Sequence, residues 1–176
     1  MRIHVSQVSE EDGLKINYQF PEGQPGLKDE DSKVIGRPSV EGLVTREGQE
    51  ARLKGNLEAN VEIVCARCLA PIEVTVDENF DLFYIPSTDP RLANEERELG
   101  EEDLSVGVYQ NDSIDLGDLV AELIELALPM ARLCREDCRG LCAQCGLNLN
   151  EVQCSCSVEV SSPGQPVLGD WNPAAK

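Results

Sequence analysis

The chain has 176 residues, 41 % of them apolar but only 4 % aromatic, which fits one domain with a small appendage and a core of Val, Leu, Ile and Ala. Asp and Glu number 33 against 15 Lys and Arg, a net charge of −18, so the body keeps itself soluble and repels nucleic-acid phosphate at long range. A basic protein partner suits that charge, whereas an RNA contact needs a local basic patch. No apolar run reaches the roughly 18 residues of a membrane-spanning helix. The opening MRIHVSQVSEEDGLKINYQF lacks the basic start and apolar stretch of a signal peptide. A cytoplasmic location with reduced thiols is expected.

The first half reads as β. Ile3, Val5 and Val8 alternate loosely, and Leu14, Ile16, Tyr18 and Phe20 alternate cleanly, as in a half-buried strand. PEGQPGLKDEDSK is polar and rich in Gly and Pro, so a loop is expected. From Ser39 to Ile85 the pattern is a meander: VEGLVTR, a turn at Gly48, ARLKGNLEANVEIV with a bulge expected at Gly55, the turn CARC, and IEVTVDENFDLFYI. Ile72, Val74 and Val76 share one face, and Phe80, Leu82 and Tyr84 continue it. Residues 87–103 are dominated by charge and read as a solvated excursion.

A helix is expected over 115–128. Asp115 suits its N-cap, Asp118 sits in the first turn where the helix dipole favours a negative charge, and Pro129 stops it. Leu116, Leu119, Val120, Leu123, Ile124, Ala127 and Leu128 form a wide apolar stripe suited to packing on the sheet. The expected fold is α+β, a mainly antiparallel sheet with this one helix and a C-terminal four-cysteine zinc knuckle. The expected division is a body at 1–130, a cysteine-rich module at 131–158 and a mobile tail at 159–176, unless Trp171 tucks against the body.

Eight cysteines carry the chemistry: Cys65-x2-Cys68, Cys134-x3-Cys138, Cys142-x2-Cys145 and Cys154-x-Cys156. Paired cysteines in a reducing compartment read as metal ligands, and four thiolates close a tetrahedral zinc site. Cys142, Cys145, Cys154 and Cys156 lie within fifteen residues and form the first expected set. Cys65, Cys68, Cys134 and Cys138 form the second, which would pin a hairpin tip to the segment after the helix. A competing partition joins Cys134, Cys138, Cys142 and Cys145, leaving Cys65 and Cys68 free. Sulfur ligands alone also permit an iron–sulfur cluster. One or two structural zinc ions are expected, because a catalytic zinc keeps an open position and usually takes His or carboxylate ligands. The single histidine, His4, reads as a strand side chain.

Cys65 and Cys68 also form a Cys-x-x-Cys with Arg67 between them, which leaves thiol redox chemistry as an alternative function. The β pattern on both sides does not suit a thioredoxin-like motif. Arg67, Arg132, Arg135 and Arg139 flank the cysteine pairs, either offsetting thiolate charge or offering a small basic face to RNA phosphate. Asp112 and Asp115 could pair as acid and base, but capping accounts for Asp115 more simply. No phosphate-binding glycine loop, metalloprotease helix or nucleophile elbow is present, so no catalytic residue is expected.

VEIVCARCLAPIEVTVDENFDLFY resembles the Cys-x-x-Cys strand pair of the YceD family, the bacterial large ribosomal RNA subunit accumulation proteins. IDLGDLVAELIELALPMARLCREDCRGLCAQCGLNLNEVQC resembles that family's second block: an Ile-Asp-Leu helix start, a Leu-Pro helix end, then Gly-Leu-Cys-x-x-Cys-Gly-x-Asn-Leu-Asn. The resemblance implies a non-enzymatic role in 23S rRNA accumulation or processing and in large-subunit assembly, with the cysteines and the Asp115 helix start in structural roles. The expected partner is a basic large-subunit ribosomal protein, pre-rRNA or both, with no membrane and no small-molecule substrate. The ending GDWNPAAK departs from the basic and apolar ending of many members. A zinc-stabilised interaction module unrelated to the ribosome is the remaining alternative.

Overall fold

The computed structural model describes residues 1–93 and 106–156. Strands β1 (Arg2–His4), β2 (Leu14–Gln19), β3 (Ser32–Glu47), β4 (Glu50–Val64), β5 (Pro71–Pro86), β6 (Val106–Tyr109) and β7 (Ser113–Asp115) precede the one α-helix among the described residues, α1 (Leu116–Ala127). β2 to β6 form one sheet in sequence order, and β1 pairs with β7 in a two-stranded sheet. All pairings are antiparallel except β5 with β6. The architecture is α+β with a mainly antiparallel sheet. No helix among the described residues is long and apolar enough to cross a membrane.

Alternation builds the core face. Val40 and Val44 of β3, Leu53, Leu57 and Val61 of β4, and Val76 and Phe80 of β5 are buried on one side, while intervening polar residues face water. Ile3, Val5 and Val8 are buried too, but β1 ends at His4 and Val5 begins a short 3₁₀ turn. Asp112 anchors that turn, accepting from the backbone N–H of Ser6 at 2.9 Å and from its hydroxyl. Asp115 caps α1, its Oδ1 accepting from Gly117 N–H at 2.8 Å. Leu116, Leu119, Val120 and Ile124 carry the apolar stripe into the core.

The loop expected over PEGQPGLKDEDSK ends early, because β3 already starts at Ser32. The sequence hides this start. Gly36 at φ +71° and the donor-less Pro38 lie in a register shift between Ile35 and Ser39, which breaks the alternation. The expected bulge at Gly55 is not there. Gly55 pairs directly with Gly42 in unbroken register, and a Cβ on it would stand 2.9 Å from both Gly42 Cα and Phe80 Cζ. Close approach of backbone and ring, not an extra residue, requires the glycine. Of the acidic excursion, 94–103 lies outside the described residues, as do the tail 159–176 and Trp171.

Candidate metal centre

The β4–β5 hairpin narrows to Val64 opposite Pro71, and the first Cys-x-x-Cys is its tip. Both such turns fold alike. Cys65 N–H donates to Ala70 O at 2.9 Å and Leu69 N–H to Cys65 O at 3.0 Å; Cys142 N–H donates to Leu147 O at 2.8 Å and Gly146 N–H to Cys142 O at 2.9 Å. The residue after each second cysteine is left-handed, Leu69 at φ +57° and Gly146 at φ +71°. The curl aims the N–H groups of Cys68 and Arg67 at the Cys65 sulfur, and those of Cys145 and Gln144 at the Cys142 sulfur. These bonds, from Cys68 and Cys145 above all, draw each leading thiol down to about 6.

The turns gather the remaining sulfurs. Cys65, Cys68, Cys134 and Cys138 form one group, and Cys142, Cys145, Cys154 and Cys156 another, with all sulfurs of a group within 4.8 Å of one another. The competing partition does not describe this geometry. Cys65 Sγ lies 3.9 Å from Cys138 Sγ, and Cys68 Sγ 3.6 Å from Cys134 Sγ. A tetrahedral ion with metal–sulfur bonds of about 2.3 Å separates its sulfurs by about 3.8 Å, so these spacings fit a single ion. A polynuclear cluster seats its thiolates on separate irons and spreads them further. Not every thiol is poised to ionise alone: desolvation of the sulfur, in a residue otherwise exposed, pushes Cys134 up to about 12, and hydrogen bonding with Cys145 followed by burial pushes Cys156 up to about 12. Four negative sulfurs in so small a volume need a cation among them. Both groups could hold a metal ion.

The first group in chain order, Cys65, Cys68, Cys134 and Cys138, is also a small apolar cluster. Cys65, Cys68 and Cys138 are buried, with Ala70, Ile72, Leu133 and Leu141 packed around them. Backbone bonds seal it: Ala66 N–H to Arg132 O at 2.8 Å, and Leu141 N–H to Arg67 O at 3.1 Å. Asn150 joins the two groups. It sits in the spacer of the second, yet its Nδ2 donates to Cys138 Sγ of the first at 3.3 Å. In sequence Asn150 is no more than a residue type common in turns. Its one signal was a second Asn within the short spacer GLNLN.

The four arginines are largely occupied. Arg67 Nη1 donates to Cys138 O at 2.9 Å, Arg132 pairs with Asp29, and Arg135 Nη2 donates to Asn150 Oδ1 at 2.8 Å. Arg139 uses its backbone N–H on Asn150 Oδ1, and its side chain is exposed. His4 is an exposed residue of β1 and belongs to neither sulfur group.

The family of the large ribosomal RNA subunit accumulation protein YceD matches residues 53–170, a span that contains all eight cysteines and α1. The chain belongs to the YceD family. An uncharacterized protein of Mycobacterium tuberculosis (strain ATCC 25618 / H37Rv) is 36 % identical to this YceD member over 86 residues, 48 % of this chain and 38 % of that protein. An uncharacterized protein of Mycobacterium leprae (strain TN) is 30 % identical over 122 residues, 67 % of this chain and 47 % of that protein. The Arabidopsis thaliana protein named large ribosomal RNA subunit accumulation protein YCED homolog 1, chloroplastic, is 25 % identical over 147 residues, 72 % of this chain and 46 % of that protein. The chain spans less than half the length of these curated relatives. No solved structure matches it.

Proposed function

We propose that this chain supports accumulation of 23S rRNA as a non-enzymatic factor in large-subunit assembly, acting in the cytoplasm, and that each four-cysteine group holds a structural zinc ion. The family match over residues 53–170 carries the ribosomal reading. All-sulfur donor sets support closed structural sites, since neither group includes the His or carboxylate ligand usual where zinc keeps an open position. Bound zinc would supply folding free energy to a cysteine module too short for its own core.

The direct partner is a basic ribosomal protein. Three of the four arginines that could form an RNA face are spent on internal contacts, while the body carries a net charge of −18. Thiol redox chemistry draws no support from accessibility, because Cys65 is 0 % and Cys68 6 % exposed.

Depletion of the protein tests the role. The expected result is a lowered 23S to 16S rRNA ratio with precursor 23S accumulating, restored by the wild-type chain but not by Cys65→Ser. The tagged chain should recover basic large-subunit proteins, with capture falling steeply as salt rises. Unchanged 23S rRNA on depletion would refute the proposal.

A further inference from the structure

Strand β5 is long, and among the described residues most of its second side has no strand partner. β6 pairs only with Phe83–Pro86. From Pro71 to Leu82 every ladder partner of β5 lies on β4, and among the described residues no other backbone hydrogen bond reaches this stretch. An edge of this kind offers a row of unpaired N–H and C=O groups to another strand.

The side chains say what kind of strand fits. On the solvent face Glu73 lies directly opposite Glu62, and Asp77 opposite Glu58. Like charges in opposed positions destabilise a sheet. Lys33 answers Glu62 at 2.6 Å and Asn56 donates to Asp77 at 2.8 Å, but among the described residues no cation pairs with Glu58, Glu73 or Asp77. On the core face Ile72 and Val74 are only half-buried at this edge. Glu78 falls in the core-facing phase, opposite the fully buried Leu57, and is nevertheless exposed. A charge in that phase marks an edge open to water and denies it to an apolar strand.

We propose that the β5 edge from Pro71 to Leu82 accepts a basic, extended segment of a partner protein as an added strand. Its apolar side chains lie beside Ile72 and Val74, and its Lys or Arg residues beside Glu73, Asp77 and Glu78. Main-chain pairing gives affinity and the alternate side chains give specificity. A second copy of this chain would set acids against acids between bodies of net charge −18, and RNA would meet the same repulsion. The inference rests on the basic-protein reading above and narrows it to one surface and one backbone conformation.

Hydrogen exchange of the full chain tests it, using the peptide Lys-Val-Lys-Val-Lys-Val-Lys and a block peptide of the same composition, Lys-Lys-Val-Val-Val-Lys-Lys. The alternating peptide should bind about fivefold or more tighter than the block peptide, because only it sets three valines along the row of Ile72, Val74 and Val76. It should slow exchange at alternate amides between Pro71 and Leu82. The double variant Glu73→Gln, Asp77→Asn should weaken binding about fivefold without shifting the melting temperature downward.

Equal binding of the two peptides, or protection mapped elsewhere, overturns the proposal. So does protection of these amides without peptide, whether concentration-dependent with a dimer in sedimentation or present in the dilute monomer. Recovery of large-subunit proteins by a chain whose β5 amides stay unprotected would preserve the assembly role and remove the edge site. Peptide protection at β5 without recovery of any large-subunit component would remove the assembly role alone.

Discussion

Replacing Asn150 should loosen metal at the cysteine group to which it does not belong. Its Nδ2 donates to Cys138 Sγ at 3.3 Å, and its Oδ1 accepts from Arg139 N–H and Arg135 Nη2, each at 2.8 Å. Asn148 Oδ1 fixes the amide by accepting from Nδ2 at 2.9 Å. The same amide is the main reason the Cys138 thiol lies below its ordinary pKa. A hydrogen bond to a charged group contributes about 1.5–3 kcal/mol. Loss of a partner just outside a metal's ligands typically weakens affinity about 10–100-fold. At about 1.4 kcal/mol per factor of ten the two ranges agree. Asn150→Ala should therefore weaken metal at Cys65, Cys68, Cys134 and Cys138 about 10–100-fold, against a few-fold at the other group. Asn150→Asp should lose at least as much, since it removes the donor and sets a carboxylate beside the thiolates.

Chelator titration of the cadmium-loaded chain, followed by cadmium NMR, reads the two groups separately, with Cys65→Ser assigning the signals. In Asn150→Asp the first group's signal should disappear at lower chelator concentration than in the wild type, and the second's nearly where it did before. Equal loss at both groups would reduce Asn150 to a general loop residue. An effect in Asn150→Ala that is absent in Asn150→Asp would place it in the Oδ1 contacts and refute the sulfur bond as its cause.

Elemental analysis should find two zinc ions per chain, one for each four-cysteine group. Chelation should raise amide exchange over 131–156 while β2 to β4, and the β5 amides that face β4, stay protected, because their core is hydrocarbon; loss of both in one transition would contradict this. Gly55→Ala should destabilise by about 1–3 kcal/mol in denaturant unfolding, since the new methyl meets backbone and the Phe80 ring with nowhere to move. Leu69→Gly should leave stability unchanged or raise it by up to about 1 kcal/mol, relief of left-handed strain being partly offset by backbone entropy. Gly146→Leu should cost about 1–2 kcal/mol at the equivalent position of the other turn.

The sequence shows most clearly what local chemistry decides. Alternation from Val40 to Tyr84 marks three strands because one face of each packs on the core, along nearly all of β4 and along part of β3 and β5. Asp115 and Pro129 bracket α1 because a cap and a missing N–H act within a turn. The second sulfur group is legible from its spacing alone. What stays hidden depends on distant partners. β6 and β7 span four and three residues, too few for a pattern, and exist because β5 and β1 receive them. Gly55 looks like a bulge until Gly42 and Phe80 are seen across from it. The kinship of the two Cys-x-x-Cys turns is masked because Leu69, not glycine, takes the left-handed position. Asn150 looks like any turn residue until Cys138 arrives from the first group.

The two groups are not interchangeable, and their difference follows from chain length. Cys68 and Cys134 are 66 residues apart, whereas Cys145 and Cys154 are nine apart. Closing the longer loop costs about 1.8 kcal/mol more in chain entropy, by the logarithmic scaling of loop closure. An ion in the local group can therefore order its own residues before the rest of the chain is placed, while the first group closes readily only once β4, β5 and α1 have brought its halves together. The local group in turn presents Asn150 to Cys138. Metal in the second group would thus prepare the first, and metal in the first would fasten the β4–β5 hairpin tip to the segment after α1. A fault in the second group should reach the first through Asn150. A fault in the first should leave the second folded but without a metal tie to the sheet, held there by contacts such as the backbone bonds of Ala66 and Leu141.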